Sequence, residues 1–458
     1  MKFLARESEL GALVSQYTSG ESNFIPIYGR RRVSKSSLIL EFIKDKPSLY
    51  YLGKQAPATL QQKEILTLCA ERFQEPLLAE IAPESWRQVL ELIDDRVQSA
   101  GNKFVLVFDE FQWMVGDSPE LPSLLQEFWD TRWSESGNLF LILCGSFIGF
   151  MEREVLGNKS PLFGRRTGQI HLRPFPFWEA AAFHPNESAP NLARIFFICG
   201  GVPQYLKRFA PRFSVEESIR REILDEFSPL SREPDFLLRE ELRELPKYYA
   251  ILTQLARGSA NAKMIAKAAG VPERSIPYYL NQLVELGYVR KRFPVKAKPS
   301  PRQVRYQLHD PLLRFWFRFV YPNQSLIRQL EPKDAYQQLI APRLEQYFGE
   351  CFETLCQEWL RRRYAKEFIA GFEGGEYWDK KVQIDVVGLR QDNRTDIGEC
   401  KWGKIESAPK LAAELKRKCE LYPNDRAATL GRILFVQQLK GRISNEIEIV
   451  SVEKIYSR

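Results

Sequence analysis

Histidines and long apolar runs are scarce in this chain of 458 residues, and its cysteines are scattered. There are three histidines and seven cysteines, and no two cysteines form a C-x-x-C pair. This spacing argues against a structural zinc site and against a disulfide framework. No apolar run approaches the roughly 18 to 20 residues that a membrane helix needs, and the N-terminal sequence MKFLARESEL lacks a secretory apolar segment. We therefore expect a soluble, cytoplasmic protein with no membrane partner.

The length and composition predict a folded protein with several domains. A chain of this length exceeds what one hydrophobic core usually supports, so three or four domains are expected. Apolar residues make up 44% of the chain and aromatic residues 12%, which is enough for each domain to bury a core. The formal net charge is +8, from 66 basic and 58 acidic side chains. The placement of these charges is more informative than their sum.

A loop near the N-terminus has most of the residues of a phosphate-binding loop. The segment YGRRRVSKSS at residues 28–37 follows an apolar, strand-like run and precedes a helix-like one. In such a loop the backbone N–H groups cradle phosphates, the lysine reaches the outer phosphates and a hydroxyl holds Mg²⁺. Ser34 stands where the pattern G-x-x-x-x-G-K-[ST] has its second glycine, a position that favours a residue without a Cβ. The predicted nucleotide-binding residues here are Gly29, Ser34, Lys35, Ser36 and Ser37.

Two later apolar runs end in polar residues that suit the same site. The segment FVLVFDE places Asp109 and Glu110 at the carboxyl end of a predicted buried parallel strand. Asp109 is expected to hold Mg²⁺, together with Ser36, and Glu110 to orient or deprotonate the attacking water. Taken alone, the segment is a core strand ending in a solvated acidic turn. Ser146 ends a third apolar run, where it either senses a γ-phosphate or only forms a turn.

These segments resemble the archaeal-type P-loop ATPase family, which is related to the signal-transduction and AAA-like NTPases. The segments that carry the resemblance are YGRRRVSKSSL, FVLVFDEFQWM, LILCGSFIGFM, SPLFGRRTGQIHLRPF and GGVPQYL. The resemblance implies ATP and Mg²⁺ as cofactors and a hydrolase activity. It also makes Arg165 or Arg166 a trans-acting or sensing arginine, the alternative being a basic surface pair. Because the family's loop ends in Gly-Lys-Thr or Gly-Lys-Ser, Ser34 is a departure that bears on tight binding and hydrolysis.

A strongly basic stretch in the middle of the chain is a candidate for binding nucleic acid. It follows a pattern of three short helices that predicts a helix-turn-helix, and its own residues predict the two strands of a β-hairpin wing. No acidic residue interrupts it, and its basic residues are Arg290, Lys291, Arg292, Lys296, Lys298, Arg302 and Arg305. The alternative is a winged helix used only for packing or protein contacts, because the predicted reading helix carries few basic residues.

The last third of the chain carries a second group of chemically active residues. Asp385 lies in the apolar segment VQIDVVGL, and Glu399 and Lys401 form an E-x-K pattern fourteen residues later. Alternate residues of a strand share a face, so Glu399 and Lys401 are expected to project together, and a hairpin return can bring Asp385 beside them. Two carboxylates suit Mg²⁺, and a lysine can stabilise developing negative charge during phosphodiester cleavage. Glu353, on a predicted preceding helix, could add a third carboxylate.

This order of helix acid, strand aspartate and strand E-x-K resembles the restriction-endonuclease-like nuclease fold. The ATPase family carries such a domain at its C-terminus, which implies a metal-dependent nuclease-like function for Asp385 and Glu399 as metal ligands. Acids and lysines are common at strand edges, however, and a fold can persist after its chemistry is lost.

The sequence therefore predicts a mixed α/β protein that binds ATP, hydrolyses it and is coupled to a DNA-directed nuclease-like domain. The alternative is a non-hydrolysing switch or scaffold that binds DNA or protein without cutting. Whether the chain forms a homo-oligomer or has a separate protein partner stays open. The predicted domains are an ATPase core with a parallel sheet at 1–155, a helical lid at 156–236, a winged helix at 240–322 and a restriction-endonuclease-like α/β domain at 335–458.

Overall fold

A computed structural model describes residues 4–99, 101–209, 212–295, 303–403, 405, 407–438 and 444–457. The strands are β1 (Asn23–Tyr28), β2 (Ser48–Leu52), β3 (Phe104–Asp109), β4 (Leu139–Gly145), β5 (Ile170–His171), β6 (Val289–Arg292), β7 (Arg305–Leu308), β8 (Phe372–Trp378), β9 (Gln383–Arg390), β10 (Arg394–Lys401), β11 (Thr429–Val436) and β12 (Glu448–Ser451).

The helices of the first 180 residues are interspersed with the strands β1 to β5. They are α1 (Glu7–Tyr17), α2 (Lys35–Ile43), α3 (Ala58–Phe73), α4 (Trp86–Ser99), α5 (Phe111–Asp117), α6 (Leu121–Phe128), α7 (Ile148–Phe150) and α8 (Phe177–Ala180).

The later helices are more numerous and include one long helix. They are α9 (Ala189–Cys199), α10 (Pro203–Arg208), α11 (Val215–Ile219), α12 (Pro229–Glu241), α13 (Leu245–Ala256), α14 (Ala262–Ala269), α15 (Ile276–Glu285), α16 (Pro311–Phe315), α17 (Gln324–Ile327), α18 (Pro332–Ala335), α19 (Ala341–Lys366), α20 (Ala408–Leu421) and α21 (Val452–Tyr456).

The chain divides into two compact units, residues 1–174 and 175–458. The first unit is built on a parallel sheet in the order β2-β3-β4-β1-β5. Every residue of β1, β3 and β4 is buried, as expected for central strands covered on both faces. One apolar cluster packs α3, α4 and α6 against one face of the sheet, and another packs α2 against the opposite face. The predicted parallel sheet is thereby confirmed.

The second unit begins with helices and continues into a three-helix segment followed by a hairpin. In that segment α13, α14 and α15 precede the antiparallel pair of β6 and β7. The Asn261 side chain accepts a hydrogen bond from the N–H of Met264 at 2.9 Å and caps α14, and Gly270, with φ of 65°, ends it. A bridge between Ala260 and Tyr306 ties the start of the segment to the hairpin. These elements occur in the predicted order, and their assignment as a winged helix stays a prediction.

The second unit ends in a mixed sheet in the order β12-β11-β10-β9-β8. Strands β8, β9 and β10 are antiparallel neighbours, whereas β10, β11 and β12 are parallel. The long helix α19 packs on β8, β9 and β10. Helix α20 begins after the cap residue Ser407 and buries Leu411, Leu415 and Cys419, spaced four residues apart, toward the sheet. This spacing sets which side chains of α20 lie beside the strand ends.

The unit boundary differs from the predicted end of the ATPase core at residue 155. The segment up to residue 174 belongs to the first unit because β5 joins its sheet beside β1. The chain's last strand, β12, pairs in parallel with β11 at the edge of the second sheet. Among the residues that the structure describes, no helix is both long enough and apolar enough to cross a membrane.

Candidate nucleotide site and C-terminal acidic centre

The predicted phosphate loop connects β1 to α2, and its lysine is turned into the loop. The Lys35 ammonium donates hydrogen bonds to the backbone carbonyls of Gly29 and Arg30, each at 3.0 Å, and is buried there. Burial lowers the pKa of Lys35, and the nearby carboxyl groups of Glu110 and Asp109 oppose that shift. A loop of this shape places a cation among backbone groups at the start of a helix, where phosphate groups bind in proteins.

Two loop positions depend on backbone freedom. Gly29 has φ of 152°, and a Cβ there would lie 2.1 Å from the carbonyl oxygen of Leu172, so a side chain does not fit. Ser34 adopts the left-handed conformation, with φ of 69° and ψ of 35°, immediately before α2. The loop thus needs at Ser34 the backbone conformation that glycine adopts freely, and a serine holds it at a cost of roughly 1 kcal/mol.

Asp109 lies at the end of β3 and receives three hydrogen bonds. Its Oδ2 accepts from the hydroxyls of Ser36 and Tyr50, each at 2.6 Å, and its Oδ1 accepts from the N–H of Glu110 at 2.8 Å. The structure therefore brings together the two predicted oxygen ligands, Ser36 and Asp109. Their oxygen chemistry fits Mg²⁺. No signal in the sequence pointed to Tyr50.

Glu110 is held by a second small network. Its carboxylate accepts a hydrogen bond at 2.6 Å from the hydroxyl of Ser146, at the end of β4, and another from the Gln112 side chain. Gln112 also donates to the Ser146 hydroxyl at 3.3 Å. The predicted water-activating acid and the predicted phosphate sensor are thus direct neighbours, and Gln112, which the sequence did not single out, links them.

The two candidate arginines differ in their surroundings. Arg165 donates two hydrogen bonds to the Asp130 carboxylate, at 2.8 and 2.7 Å, and others to the carbonyls of Pro161 and Phe163. Arg166 is exposed and donates to the carbonyl of Leu156 at 3.3 Å. Because Arg165 is bound on both sides of its guanidinium, Arg166 is the better candidate for a trans-acting or sensing arginine.

The acidic centre of the second unit forms where β9 and β10 run side by side. The antiparallel register ends at the pair of Gly398 with Val386, and Glu399 and Asp385 are the adjoining residues of the two strands. Facing residues of an antiparallel pair project to the same side of the sheet. One oxygen of Asp385 accepts the N–H of Cys400 at 3.0 Å. The Gln357 amide of α19 donates to the carbonyl oxygen of Asp385 at 2.7 Å and fixes that strand against the helix.

Burial and mutual repulsion raise the pKa values of two of these acids. The pKa of Asp385 is raised to about 6, first by burial and then by the Glu399 carboxylate, while Lys418 and Lys401 oppose the shift. The pKa of Glu353, on α19, is raised to about 8 by burial and by the Asp385 carboxylate. The three predicted acids therefore lie close enough to affect one another's protonation.

Two lysines occupy the two oxygens of the Glu399 carboxylate. Lys401 lies 3.1 Å from Oε1, and its side chain is 44% exposed. Lys418, from α20, pairs with Oε2 and is 12% exposed, while the Glu399 side chain is only 2% exposed. The sequence predicted Lys401 but not Lys418, because a lysine in a basic, amphipathic helix carries no signal of its partner.

This arrangement does not fit a resident metal ion as it stands. In the described part of the chain, no group of three or more His, Cys, Asp or Glu side chains is placed to hold a metal. Asp385 already accepts one hydrogen bond, and both oxygens of Glu399 face ammonium groups. A divalent ion at this pair of carboxylates needs an oxygen that a lysine now occupies.

Two arginines of the basic hairpin are paired with side chains of the second unit, to which the hairpin itself belongs. Arg292 forms a two-point ion pair with Glu376 of β8; the Glu376 side chain is buried, and the Arg292 side chain is 12% exposed. Arg290 donates to the Gln307 amide oxygen at 2.9 and 2.7 Å and to the Thr354 hydroxyl at 3.2 Å, and burial lowers its pKa.

The remaining basic residues of this stretch are more open to solvent or lie outside the described residues. Arg305 lies over the Trp378 ring at 4.5 Å. Lys291 is exposed and donates to Asn281 at 3.2 Å. The predicted phosphate contacts of Arg290 and Arg292 would require their present partners to be given up. Three other predicted contacts lie outside the described residues, namely Lys296, Lys298 and Arg302.

Two family models match separate parts of the chain. Residues 3–209 match a family model described as an ATPase domain predominantly from Archaea. Residues 316–412 match a second model, described as archaeal and bacterial proteins of unknown function. Residues 3–209 are therefore similar to archaeal-type ATPase domains, and residues 316–412 are similar to the second kind of protein. The second match includes Glu353, Asp385, Glu399 and Lys401 and ends before Lys418.

Three individual proteins show the extent of the similarity. An uncharacterized protein of Methanocaldococcus jannaschii is 29% identical over 431 residues, which is 92% of each chain. The structure of a Walker-type ATPase of Pyrococcus abyssi aligns at 20% identity and a TM-score of 0.54, covering 69% of this chain and 96% of that one. The ORC2 protein of Aeropyrum pernix aligns at 15% identity and a TM-score of 0.46, covering 72% and 95%. The likeness to the Pyrococcus ATPase shows a shared fold.

Proposed function

We propose that the protein is an ATP-hydrolysing P-loop ATPase whose nucleotide site is coupled to a DNA-directed, nuclease-like C-terminal unit. The observation that carries the ATPase part is the contact between Ser36 and Asp109 at 2.6 Å beside the buried Lys35 ammonium. A hydroxyl, a carboxylate and a lysine at the start of a helix form the usual set of groups for binding a nucleotide triphosphate with its metal.

Each residue of the first unit has a distinct role in this proposal. The loop N–H groups and Lys35 bind the phosphates, and Ser36 and Asp109 hold Mg²⁺, which when bound neutralises phosphate charge. Glu110 accepts a proton from, or orients, the attacking water, and Ser146 and Gln112 fix the direction of its carboxylate. Arg166 is available to stabilise phosphate charge on a neighbouring subunit or within the same chain.

Calorimetric titration of ATP with Mg²⁺ tests the nucleotide site. Lys35→Ala should weaken binding on the order of a hundredfold, because the phosphates lose a charge-assisted contact. Lys44→Ala removes an exposed lysine just after the same helix and should leave binding unchanged. A wild-type protein that binds no nucleotide at millimolar ATP would refute the ATPase function.

DNA engagement and cleavage form the second part of the proposal, supported by the Asp385, Glu399 and Lys401 grouping and by the basic hairpin. The test measures ATP turnover with and without duplex DNA, and DNA cleavage with Mg²⁺ or Mn²⁺. We expect DNA to change turnover and Asp385→Ala to abolish cleavage. Turnover that ignores DNA, together with intact DNA at every metal concentration, would remove this part and leave the ATPase.

A specific observation also favours the alternative function, a switch or scaffold that does not cut. Both oxygens of Glu399 are paired with lysines, and the loop residue Ser34 is held in a left-handed conformation. A protein of this kind would bind nucleotide and partner but show no metal-dependent cleavage. The cleavage assay above separates the two functions.

A further inference from the structure

The position of Lys418 has a consequence for metal binding in the C-terminal unit. Its ammonium pairs with Oε2 of Glu399, while Lys401 lies 3.1 Å from Oε1. The carboxylate is thus bracketed by two cations, although it is almost completely buried. Burying a carboxylate is costly unless a partner compensates its charge, so at least one of these lysines is needed where it lies.

The two lysines are not equivalent. Lys401 extends from the end of β10, and its side chain is 44% exposed, so it can move into solvent with little loss. Lys418 extends from α20, and its side chain is 12% exposed. The helix is anchored by Leu411, Leu415 and Cys419, which pack in one apolar cluster with residues of the sheet. Lys418 is therefore the partner that the fold itself holds against Glu399.

We propose that Lys418 is the resident counter-ion of Glu399, so that a divalent cation reaches the Asp385 and Glu399 carboxylates only in competition with its ammonium group. Lys418 is a positioning residue in this proposal: it fixes the Glu399 carboxylate opposite Asp385 and sets the metal concentration at which the pair can be occupied. The proposal rests on the nuclease-like part of the proposed function, since it concerns the same carboxylates.

The electrostatic reasoning gives the sign of the effect. An ammonium group bound to a carboxylate oxygen repels a divalent ion and occupies one of its ligands. Replacing Lys418 by a neutral residue removes both obstacles, so metal binding should become tighter. Replacing it by arginine keeps the charge and the ion pair, so metal binding should remain weak.

The test is a titration of the full chain with Mn²⁺ in the absence of nucleotide, with free Mn²⁺ followed by electron paramagnetic resonance. Lys418→Met should bind one Mn²⁺ at least about tenfold more tightly than the wild type, and Lys418→Arg should not. Lys416→Met is the matched control, because it removes the same charge from an exposed position of the same helix. Adding Asp385→Asn to Lys418→Met should abolish the gain, which assigns the ion to this centre and not to the nucleotide site.

A second variant allows the same test if Lys418→Met does not fold. If circular dichroism shows that Lys418→Met is unfolded, Lys418→Gln keeps a hydrogen-bond donor for the buried carboxylate while removing the charge, and it should show the same gain. Equal Mn²⁺ affinity in wild type, Lys416→Met and the neutral Lys418 variants would overturn the proposal, as would no Mn²⁺ binding in any of them. Failure of the proposed cleavage is seen separately, as intact DNA at saturating Mn²⁺ in variants that do bind the ion.

Discussion

The nucleotide site and the C-terminal acidic centre are built from similar parts but balance their charges differently. In both, carboxylates lie on buried strands with a lysine nearby. In the first unit Lys35 binds two backbone carbonyls, and Asp109 is bound by hydroxyl and amide groups. In the second unit Glu399 is bound by two ammonium groups. In the first site the lysine lies near the carboxylates but binds backbone carbonyls, an arrangement that suits a charged ligand. In the second site, lysine side chains of the protein itself neutralise the charge of Glu399.

The comparison predicts that replacing a charged side chain by a neutral one lowers ATP turnover in the first unit and lowers the free energy of unfolding in the second. The largest effect is expected at Glu110. Glu110→Gln should keep ATP binding but lower turnover by roughly 10²- to 10⁴-fold, because the amide cannot accept a proton from water. Binding by calorimetry and phosphate release measured on the same preparation check this. Turnover within about twofold of wild type would mean that another group activates the water.

The next effect concerns the ion pair between the hairpin and β8. Arg292→Ala should lower the free energy of unfolding by about 3 to 5 kcal/mol, because Glu376 is left buried and without its guanidinium partner. Lys291→Ala, at the exposed neighbouring position, should change it by less than about 0.5 kcal/mol. Urea unfolding followed by fluorescence measures both.

The same two variants separate a structural role of the hairpin from phosphate contact. If Lys291 contacts DNA, its loss should lower the slope of log affinity against log salt by about 0.9. Arg292→Ala could instead keep full stability and weaken duplex binding. That result would mean that the guanidinium contacts DNA, and it would contradict the stabilising role assigned to its ion pair with Glu376.

A smaller effect is expected from pH, and it should come from the second unit. Glu353 has a pKa of about 8 and Asp385 of about 6 in the folded protein, both above their ordinary values. The folded state therefore binds protons more tightly than the unfolded state, so stability should rise as pH falls from about 8 to 6. The slope is at most about 1.4 kcal/mol per pH unit for each proton.

Unfolding by urea at pH 8 and pH 6 tests this dependence, with Glu353→Gln as the control. The amide cannot ionise, so the variant should be more stable than wild type at pH 8 and should show a weaker pH dependence. A wild-type protein that is less stable at pH 6 than at pH 8 would show that the buried carboxyl groups stay charged.

Local patterns in the sequence predicted the elements that depend on nearby residues. The phosphate loop and the strand ending in Asp109 and Glu110 follow from spacing within about a dozen residues, and the structure has them where they were predicted. The alternation along β10 also placed Glu399 and Lys401 together. These predictions needed only the periodicity of helices and strands.

Contacts between residues that only the tertiary fold brings together could not be predicted from local patterns. Tyr50 reaches Asp109 because β2 lies beside β3, and Lys418 reaches Glu399 because α20 packs against the sheet. The basic run near β6 suggested a surface, yet Arg292 is directed to Glu376 of a strand more than eighty residues later. A charge run indicates where cations are but not which way they face.

The smallest expected effect is at Ser34, where the loop departs from the glycine pattern. Ser34→Gly removes a Cβ from a residue with φ of 69° and should stabilise the protein by about 1 kcal/mol. Because the strain lies in the loop that would contact phosphate, nucleotide binding should tighten or turnover should rise. Ser37→Gly, at an exposed position inside α2, should instead lower stability by about 0.5 kcal/mol. Thermal unfolding of both variants checks the opposite signs of the stability change, and ATP titration of Ser34→Gly checks the tighter binding. A destabilised Ser34→Gly would mean that the serine side chain contributes more than its backbone costs.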